Sequence, residues 1–297
     1  MVSGSGILLL DKPTGLSSNA ALGKAKRALG IRKAGHTGTL DPLASGLLVL
    51  CFGEATKVAG YLLDSDKAYL AELCLGASTD TDDAEGEIVA RSAVPDLDDK
   101  QIEQALVAFR GPIEQVPPMY SALKQGGERL YRLARRGETV QRPPRPVVIH
   151  ELDVLGRTEN RLRLAVHCSK GTYIRSLARD LGDALGCGAH LCALRRTRSA
   201  PFDIADAVEL DALLALPPDS ARKLLRPADS ALIHLPAEHL CQDLTTRLLM
   251  GQRLAGLKET PAGLVRIYGP DGAFLGIGES NGRGGLKPKR LVSTAKG

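Results

Sequence analysis

Residues 46–53, GLLVLCFG, form an apolar run closed at both ends by glycine. A run so short and so free of alternation reads as a buried strand. GILLLDKP (6–13) is a second short strand, ended by Lys-Pro, and SSNAALGKAKRALG (17–30) opens with Ser/Asn capping chemistry and continues at helical spacing. KAYLAELCLG (67–76), VVIHELDVL (147–155) and RLRLAVHCS (161–169) alternate as strands do. DLDDKQIEQALVAFRG (96–111) is a capped helix, and TYIRSLARDLGDALG (172–186) puts Ile174, Leu177, Ala178, Leu181 and Leu185 on one helical face. Strands and helices mix without a regular βαβ alternation. The expected fold is therefore α+β, with a mixed, largely antiparallel sheet.

Two breaks divide the chain. The segment 116–147 is rich in proline, glycine and arginine, with a short helix expected around Glu128–Arg136, and reads as an arm leaving the sheet. LPPDSARKLLRPADSALIHLP (216–236) is the second break, and beyond it LVRIYGPDGAFLGIGE (264–279) shows short strands and tight glycine turns, as in a small β-barrel. The expected domains are 1–232, containing the arm, and 233–297.

No stretch approaches the ~18 apolar residues of a membrane span, and GILLLDKPTGL is no signal segment. A cytoplasmic location is expected. The six cysteines are dispersed without a CxxC pair, which predicts reduced, partly buried thiols. Cys187, His190 and Cys192 suggest a metal corner, but no second corner appears, so no metal is expected. TDTDDAEGE (79–87) fails as a calcium loop because Glu85 holds the position of the sharp-turn glycine; it reads as a solvated acidic loop. GxSxG, HExxH and GxGxxG are absent, which removes common hydrolase, zinc-protease and dinucleotide readings.

The net charge of +5 matters less than its distribution. Between 124 and 146, Lys124, Arg129, Arg132, Arg135, Arg136, Arg142 and Arg145 face only Glu128 and Glu138. Arg195, Arg196 and Arg198 form another cluster, and the tail carries Arg283, Lys287, Lys289, Arg290 and Lys296 without an acid. Lys12, Lys24, Lys26, Arg27, Arg32 and Lys33 add a fourth. Separated basic segments fit a polyanion contacted by several loops; taken singly, each fits a solvated surface equally well.

One carboxylate stands apart. In GHTGTLDPLASG (35–46), Asp41 lies between Gly38 and Gly46, is followed by Pro42, and has Thr37 and Thr39 available to bond the local backbone or orient it. On local sequence alone, Asp41 could instead cap a helix over PLASGLLVL.

GHTGTLDPLASGLL resembles the catalytic motif of the TruB family, the bacterial tRNA pseudouridine-55 synthases. GILLLDKPTGLSSN, GEATKVAGYLLDSDKAY, FRGPIEQVPPMYSALKQGGERLY, CSKGTYIRSLARDLG and CGAHLCALRR are similar to that family's blocks in its order. The likeness is strong from Gly6 to about Arg198. Beyond it the tail resembles the PUA RNA-binding module, and 199–233 matches no specific block. The resemblance implies a pseudouridine synthase fold and an isomerase that moves uracil from an N-linked to a C-linked attachment on its ribose, with no cofactor or metal. It makes Asp41 the nucleophile, pairs Arg175 with it, stacks Tyr69 on the target base, and puts Tyr173 and Leu194 at the base pocket, with helix onset expected near Ile174. His36 fills the space of the flipped base. Lys12 supports the scaffold or an RNA phosphate. The implied partner is tRNA, its T-arm clamped by the basic arm and its acceptor end reached by the C-terminal module, with the enzyme a monomer. A non-catalytic RNA-binding or RNA-chaperoning protein on the same scaffold would have no use for a pinned carboxylate facing a polyanion. A guide-RNA-directed synthase is the third reading.

Overall fold

The computed structural model describes residues 4–121, 123–138 and 140–292; at 124, 125, 129, 131 and 135 the backbone alone is described. It comprises two compact units. The first takes the chain through Asp41, then Leu47–Asp64, then from Ala200 onward; the second takes Pro42–Gly46 and Ser65–Ser199.

The first unit opens with strand β1 (Gly6–Lys12), helix α1 (Ser18–Leu29), β2 (Ala34–His36), β3 (Ser45–Phe52) and α2 (Ala59–Leu63). Ser17 caps α1 by accepting from the Ala20 N–H, and Gly30 ends it in the left-handed conformation, returning hydrogen bonds to the last turn. Every residue of β3 after Ser45 is buried, as the unalternating run predicts. PLASGLLVL is therefore a turn and a strand, which removes the helix that Asp41 would have capped. β1 neighbours β3, and β2 runs antiparallel to β3 with His36 opposite Leu50.

The second unit contains β4 (Lys67–Leu75), β5 (Ala77–Thr79), β6 (Ile88–Arg91), α3 (Asp99–Val107), β7 (Gly111–Gln115), β8 (Lys124–Gln125), β9 (Glu128–Arg129), α4 (Leu130–Arg135), β10 (Arg145–Arg157), β11 (Arg161–Cys168), α5 (Ile174–Ala184) and β12 (Ala189–Ser199). Asp98 and Gln101 close α3 with a reciprocal capping box. The strand order β12-β4-β11-β10-β7 is antiparallel throughout, and β12 also pairs in parallel with Ser45 and Gly46. Gly46 makes this last pairing possible. Its φ is +100°, and a Cβ there would stand 2.3 Å from the carbonyl oxygen of Arg196.

The β4–β12 ladder shifts register at two places, between Arg196 and Arg198 and, ahead of the residues near Tyr69, between Leu191 and Ala193. Leu191 opposes Leu73 and Ala193 opposes Glu72, so Cys192 is the extra residue of a β-bulge. Side chains alternate along a strand, and one inserted residue exchanges the faces of all that follow. The bulge therefore turns Leu194 and Arg196 to the same face as their partners Ala71 and Tyr69.

Returning to the first unit, the chain forms β13 (Phe202–Asp203), β14 (Val208–Glu209), α6 (Leu210–Ala215) and α7 (Pro218–Arg222). β14 extends β1 in parallel, Arg222 Nε donates to the Leu29 carbonyl, and Ile7 and Arg226 exchange backbone hydrogen bonds of 2.8 Å. The stretch without a recognisable block thus closes the edge of the first strand. β15 (Ala237–His239), α8 (Gln242–Leu249), β16 (Gly263–Tyr268), β17 (Phe274–Ser280) and β18 (Leu286–Leu291) complete it as a four-stranded sheet. GPDG forms the tight β16–β17 turn, with Gly269 and Ala273 hydrogen-bonded across it. Leu240, Leu248, Val265, Ile267, Leu275 and Leu286 fill this sheet's own core, while Ile277 joins Ile7, Leu47, Val49 and Leu232 in the other.

Two expectations are corrected by the fold. Cys74 and Cys192 are joined by a disulfide with Cα atoms 5.8 Å apart, although 118 residues separate them in sequence. Dispersal along the chain concealed a pair that adjacent strands bring together. The thiols of Cys51, Cys168 and Cys187 are buried and unbridged, and burial pushes Cys51 up to about 12 and Cys168 to about 11. Lys12, second, is fully buried, and its ammonium donates to the carbonyls of Pro13 at 2.8 Å and Leu16 at 2.7 Å. It braces the turn after β1, and so deep a position excludes an RNA phosphate.

A methyl group at Gly46 meets both a disfavoured φ and the Arg196 backbone. Gly46→Ala is expected to lower stability by about 1–3 kcal/mol, read as a fall in Tm by calorimetry.

Candidate active site

Asp41 is the half-buried residue that follows Leu40 in the loop from β2 to β3. Leu40 is held at both of its polar backbone groups by one side chain. The Ser18 hydroxyl accepts from the Leu40 N–H at 2.8 Å and donates to the Leu40 carbonyl at 2.9 Å. Ser18 is the first residue of α1, so a helix terminus fixes the peptide next to the carboxylate. On the other side, the Thr37 N–H donates to Val49 at 3.0 Å. The Thr37 hydroxyl does not share in the anchoring expected of it: it is buried without a hydrogen-bond partner among the described residues. His36, half-buried, ends β2 immediately before this loop.

In the second unit, Tyr69 lies on β4 opposite Val166 of β11 and Arg196 of β12. Leu194 is opposite Ala71 on the same face, which gives a half-buried tyrosine an apolar floor of Ala71, Leu164, Val166 and Leu194. Arg196 is 1% exposed. Part of the second basic cluster is therefore an interior residue beside Tyr69, whereas Arg198 remains exposed. Burial of a cation opposite a tyrosine is a signal that only the strand register reveals.

Tyr173 is the N-cap of α5, with helical residues beginning at Ile174 as expected. The carboxamide of the buried Gln115 grips its peptide group, accepting from the Tyr173 N–H at 2.8 Å and donating to its carbonyl at 3.0 Å. Arg175 is the second residue of α5 and is 5% exposed. Its guanidinium donates to the carbonyls of Thr81 at 3.1 Å and Tyr120 at 2.8 Å, and lies 3.6 Å from the Asp83 carboxylate. Asp83 is only 3% exposed and also accepts from the Thr81 hydroxyl and the Glu85 N–H.

The acidic loop is thus corrected. TDTDDAEGE is not simply solvated, because Asp83 is an interior counter-charge and Asp82 pairs with Arg179 at 2.9 Å. Asp80, by contrast, stays exposed. Burial pushes the Asp82 carboxyl above its usual range, and the charges of Arg179, Arg175 and Arg142 pull it back only in part. Sequence reading missed Asp82, Asp83 and Gln115. The available signal was the acidic run itself, which has no basic residue between Asp80 and Glu87.

The arm is a short hairpin, β8–β9, leading into α4. Arg132 and Arg145 are exposed. Arg136 is also exposed but bridges Glu128 and Glu138. Arg142 turns inward to the Pro117 carbonyl at 2.9 Å, and burial lowers its pKa. The side chains of Lys124, Arg129 and Arg135, and the tail residue Lys296, lie outside the described residues. At the other end of the chain, Arg283, Lys287, Lys289 and Arg290 are exposed.

Residues 26–174 match the TruB family pseudouridylate synthase N-terminal domain, 175–233 the tRNA pseudouridylate synthase B C-terminal domain, and 236–292 the C-terminal domain described as pseudouridine synthase II TruB. The tRNA pseudouridine synthase B of Aromatoleum aromaticum is 57% identical over 97% of this chain and 93% of its own length. That of Xanthomonas axonopodis pv. citri is 54% identical over 97% and 94%. Among solved structures, a Cbf5-Nop10-Gar1 complex aligns with a TM-score of 0.71 at 28% identity, covering 98% of this chain and 84% of that one. An H/ACA RNP bound to a substrate RNA containing 2′-deoxyuridine aligns with a TM-score of 0.72 at 26% identity, covering 97% and 85%.

Asp83→Ala takes one interior carboxylate from a buried guanidinium, and unfolding in urea should report a loss of about 3–5 kcal/mol. Asp82 acts with the opposite pH sense to a stabilising carboxylate. Its folded pKa is raised, so its contribution is present below the ordinary value and is lost as pH rises through the raised one. The stability of the wild type relative to Asp82→Asn should therefore decline as pH rises above the ordinary carboxylate value of about 3.9. A relative gain over that range would mean that the Arg179 pair outweighs burial.

Proposed function

The chain belongs to the TruB family of pseudouridylate synthases, and from that premise we propose that it converts the T-loop uridine of tRNA, position 55, to pseudouridine with Asp41 as nucleophile. The observation that carries this reading is the double hydrogen bond from Ser18 to Leu40, which immobilises the peptide preceding a half-buried carboxylate. Such a carboxylate can attack in a fixed direction and later leave.

The reaction breaks the bond from uracil N1 to the ribose, turns the base, and joins C5 to the same sugar carbon. N1 ends with a proton and C5 gives one up, so the product is an isomer and neither redox chemistry nor an added group is required. In this proposal Arg175 holds Asp41 ionised, and Tyr69 stacks on the uracil and assists proton removal from C5. Leu194 and Tyr173 wall the pocket, excluding water, while His36 occupies the stack position that the flipped uridine vacates. The half-buried Tyr69 above an apolar floor suits a planar base, and the Gln115 grip on Tyr173 suits a wall that must not move. Arg132 and Arg145 of the arm are assigned to T-arm phosphates, and the exposed C-terminal cations to the acceptor end. In this proposal the enzyme works as a monomer in the cytoplasm. No helix among the described residues is long and apolar enough to cross a membrane.

The likeness to an H/ACA RNP supports the guide-directed reading as a competitor. A T-loop minihelix without any guide RNA separates the two: modification at the T-loop uridine is expected, and an absolute need for added RNA would favour the competitor. Asp41→Asn should retain tRNA binding and lose turnover by about 10⁴–10⁶-fold, measured by release of tritium from C5-labelled uridine. Arg132→Ala should weaken binding of all tRNA sequences alike and reduce the slope of log affinity against log salt by about 1.

A further inference from the structure

Away from the residues assigned to the reaction, one cluster among the described residues carries ligand chemistry. Cys74 lies on β4, opposite His190 on β12, and Cys192 is the bulge residue two positions later. The two Sγ atoms and a ring nitrogen of His190 lie within 4.8 Å of one another, and all three residues are half-buried. The corner suggested by the sequence is thus rebuilt, with Cys74 in place of the buried Cys187. We propose that Cys74, Cys192 and His190 bind a thiophilic divalent cation of the zinc class when the Cys74–Cys192 bridge is reduced, and release it when the bridge forms.

The imidazole is oriented for this task. His190 Nδ1 lies 2.8 Å from the carbonyl of Ala77, which can only accept, so Nδ1 carries the proton and Nε2 presents a lone pair. Metal-binding histidines are commonly held in that manner, by a backbone carbonyl on the far nitrogen. Nε2 points toward Cys192 Sγ at 3.6 Å. Zinc bonds of about 2.3 Å to sulfur and about 2.0–2.1 Å to nitrogen, meeting at a tetrahedral angle, give an S···N edge of about 3.6 Å. One edge of the polyhedron already has its length before any ion enters. Three protein ligands leave the fourth position to water, which half-buried residues can admit.

The electrostatics do not oppose a cation. Arg161 stands beside Cys74 in register on β11, but its guanidinium is hydrogen-bonded to Glu72. Opening the site is a balanced step. A phosphine gives two electrons to the disulfide and becomes its oxide with oxygen from water, whose two hydrogens go to the sulfurs. The cation then displaces both thiol protons to solvent. A diazene oxidant reverses the change, taking two electrons and two protons as the S–S bond forms and becoming the hydrazine.

The test uses the full chain, stripped of metal, reduced with a phosphine under anaerobic conditions, and titrated with Zn²⁺ alone against a chromophoric chelator. The reduced chain should bind one equivalent, and the diazene-oxidised chain none. Cys74→Ser, Cys192→Ser and His190→Gln should each lose more affinity than the roughly 10–100-fold cost of removing an outer partner, while Cys187→Ser should keep it. Co²⁺ bound to the reduced wild type should give the absorption of a tetrahedral thiolate site, a readout that needs no variant to fold. Absence of binding by the reduced chain, equal binding by the oxidised chain, or full affinity in Cys74→Ser would overturn the proposal.

Discussion

A guanidinium removed from water must find acceptors for its N–H groups within the protein, and much of the second unit is arranged to supply them to Arg175. Thr81 and Tyr120 give carbonyls and Asp83 gives a carboxylate. Each acceptor lies outside the named strands and helices. The arginine therefore organises loops as well as being held by them, and removing any one acceptor leaves a charge in a place too dry to tolerate it. A side chain held on all sides is suited to orienting an anion, because it cannot follow the anion when that group moves.

The same economy governs the carboxylate loop of the first unit. It has little secondary structure, yet Ser18 restrains it from a helix and Val49 from a strand. Proline and glycine set which shapes this loop can take; hydrogen bonds from regular elements select one of them. Local stiffness and remote tethering are separate devices, and this loop uses both.

Legibility followed the range of the interaction that decides each feature. The ends of α1, the capping box of α3, the start of α5 and the GPDG turn are settled within a few residues, and the sequence displays them. The unalternating run of β3 and the alternation of β4 and β11 likewise survive translation into structure. What could not be read depends on a partner strand or a distant loop. Lys12 and Arg196 look like surface cations until the fold closes over them. Asp83 looks solvated until Arg175 arrives from a helix ninety-odd positions later. The cysteine pair needs β12 laid against β4, and the facing of Leu194 needs the bulge as well. Family likeness supplied roles for Asp41, Tyr69 and Leu194 that spacing alone left open, but it was silent about these supports.

The irregularity at Cys192 has a bearing on how such a chain can drift over time. Substituting a residue along β12 changes one side chain; dropping or adding one near the irregularity would exchange inside for outside along the rest of the strand. Leu194 would then meet water, and a buried arginine would be pulled from its cavity. The number of residues in this strand therefore decides its facing more than most of their identities do, and a change of length here costs more than a change of spelling.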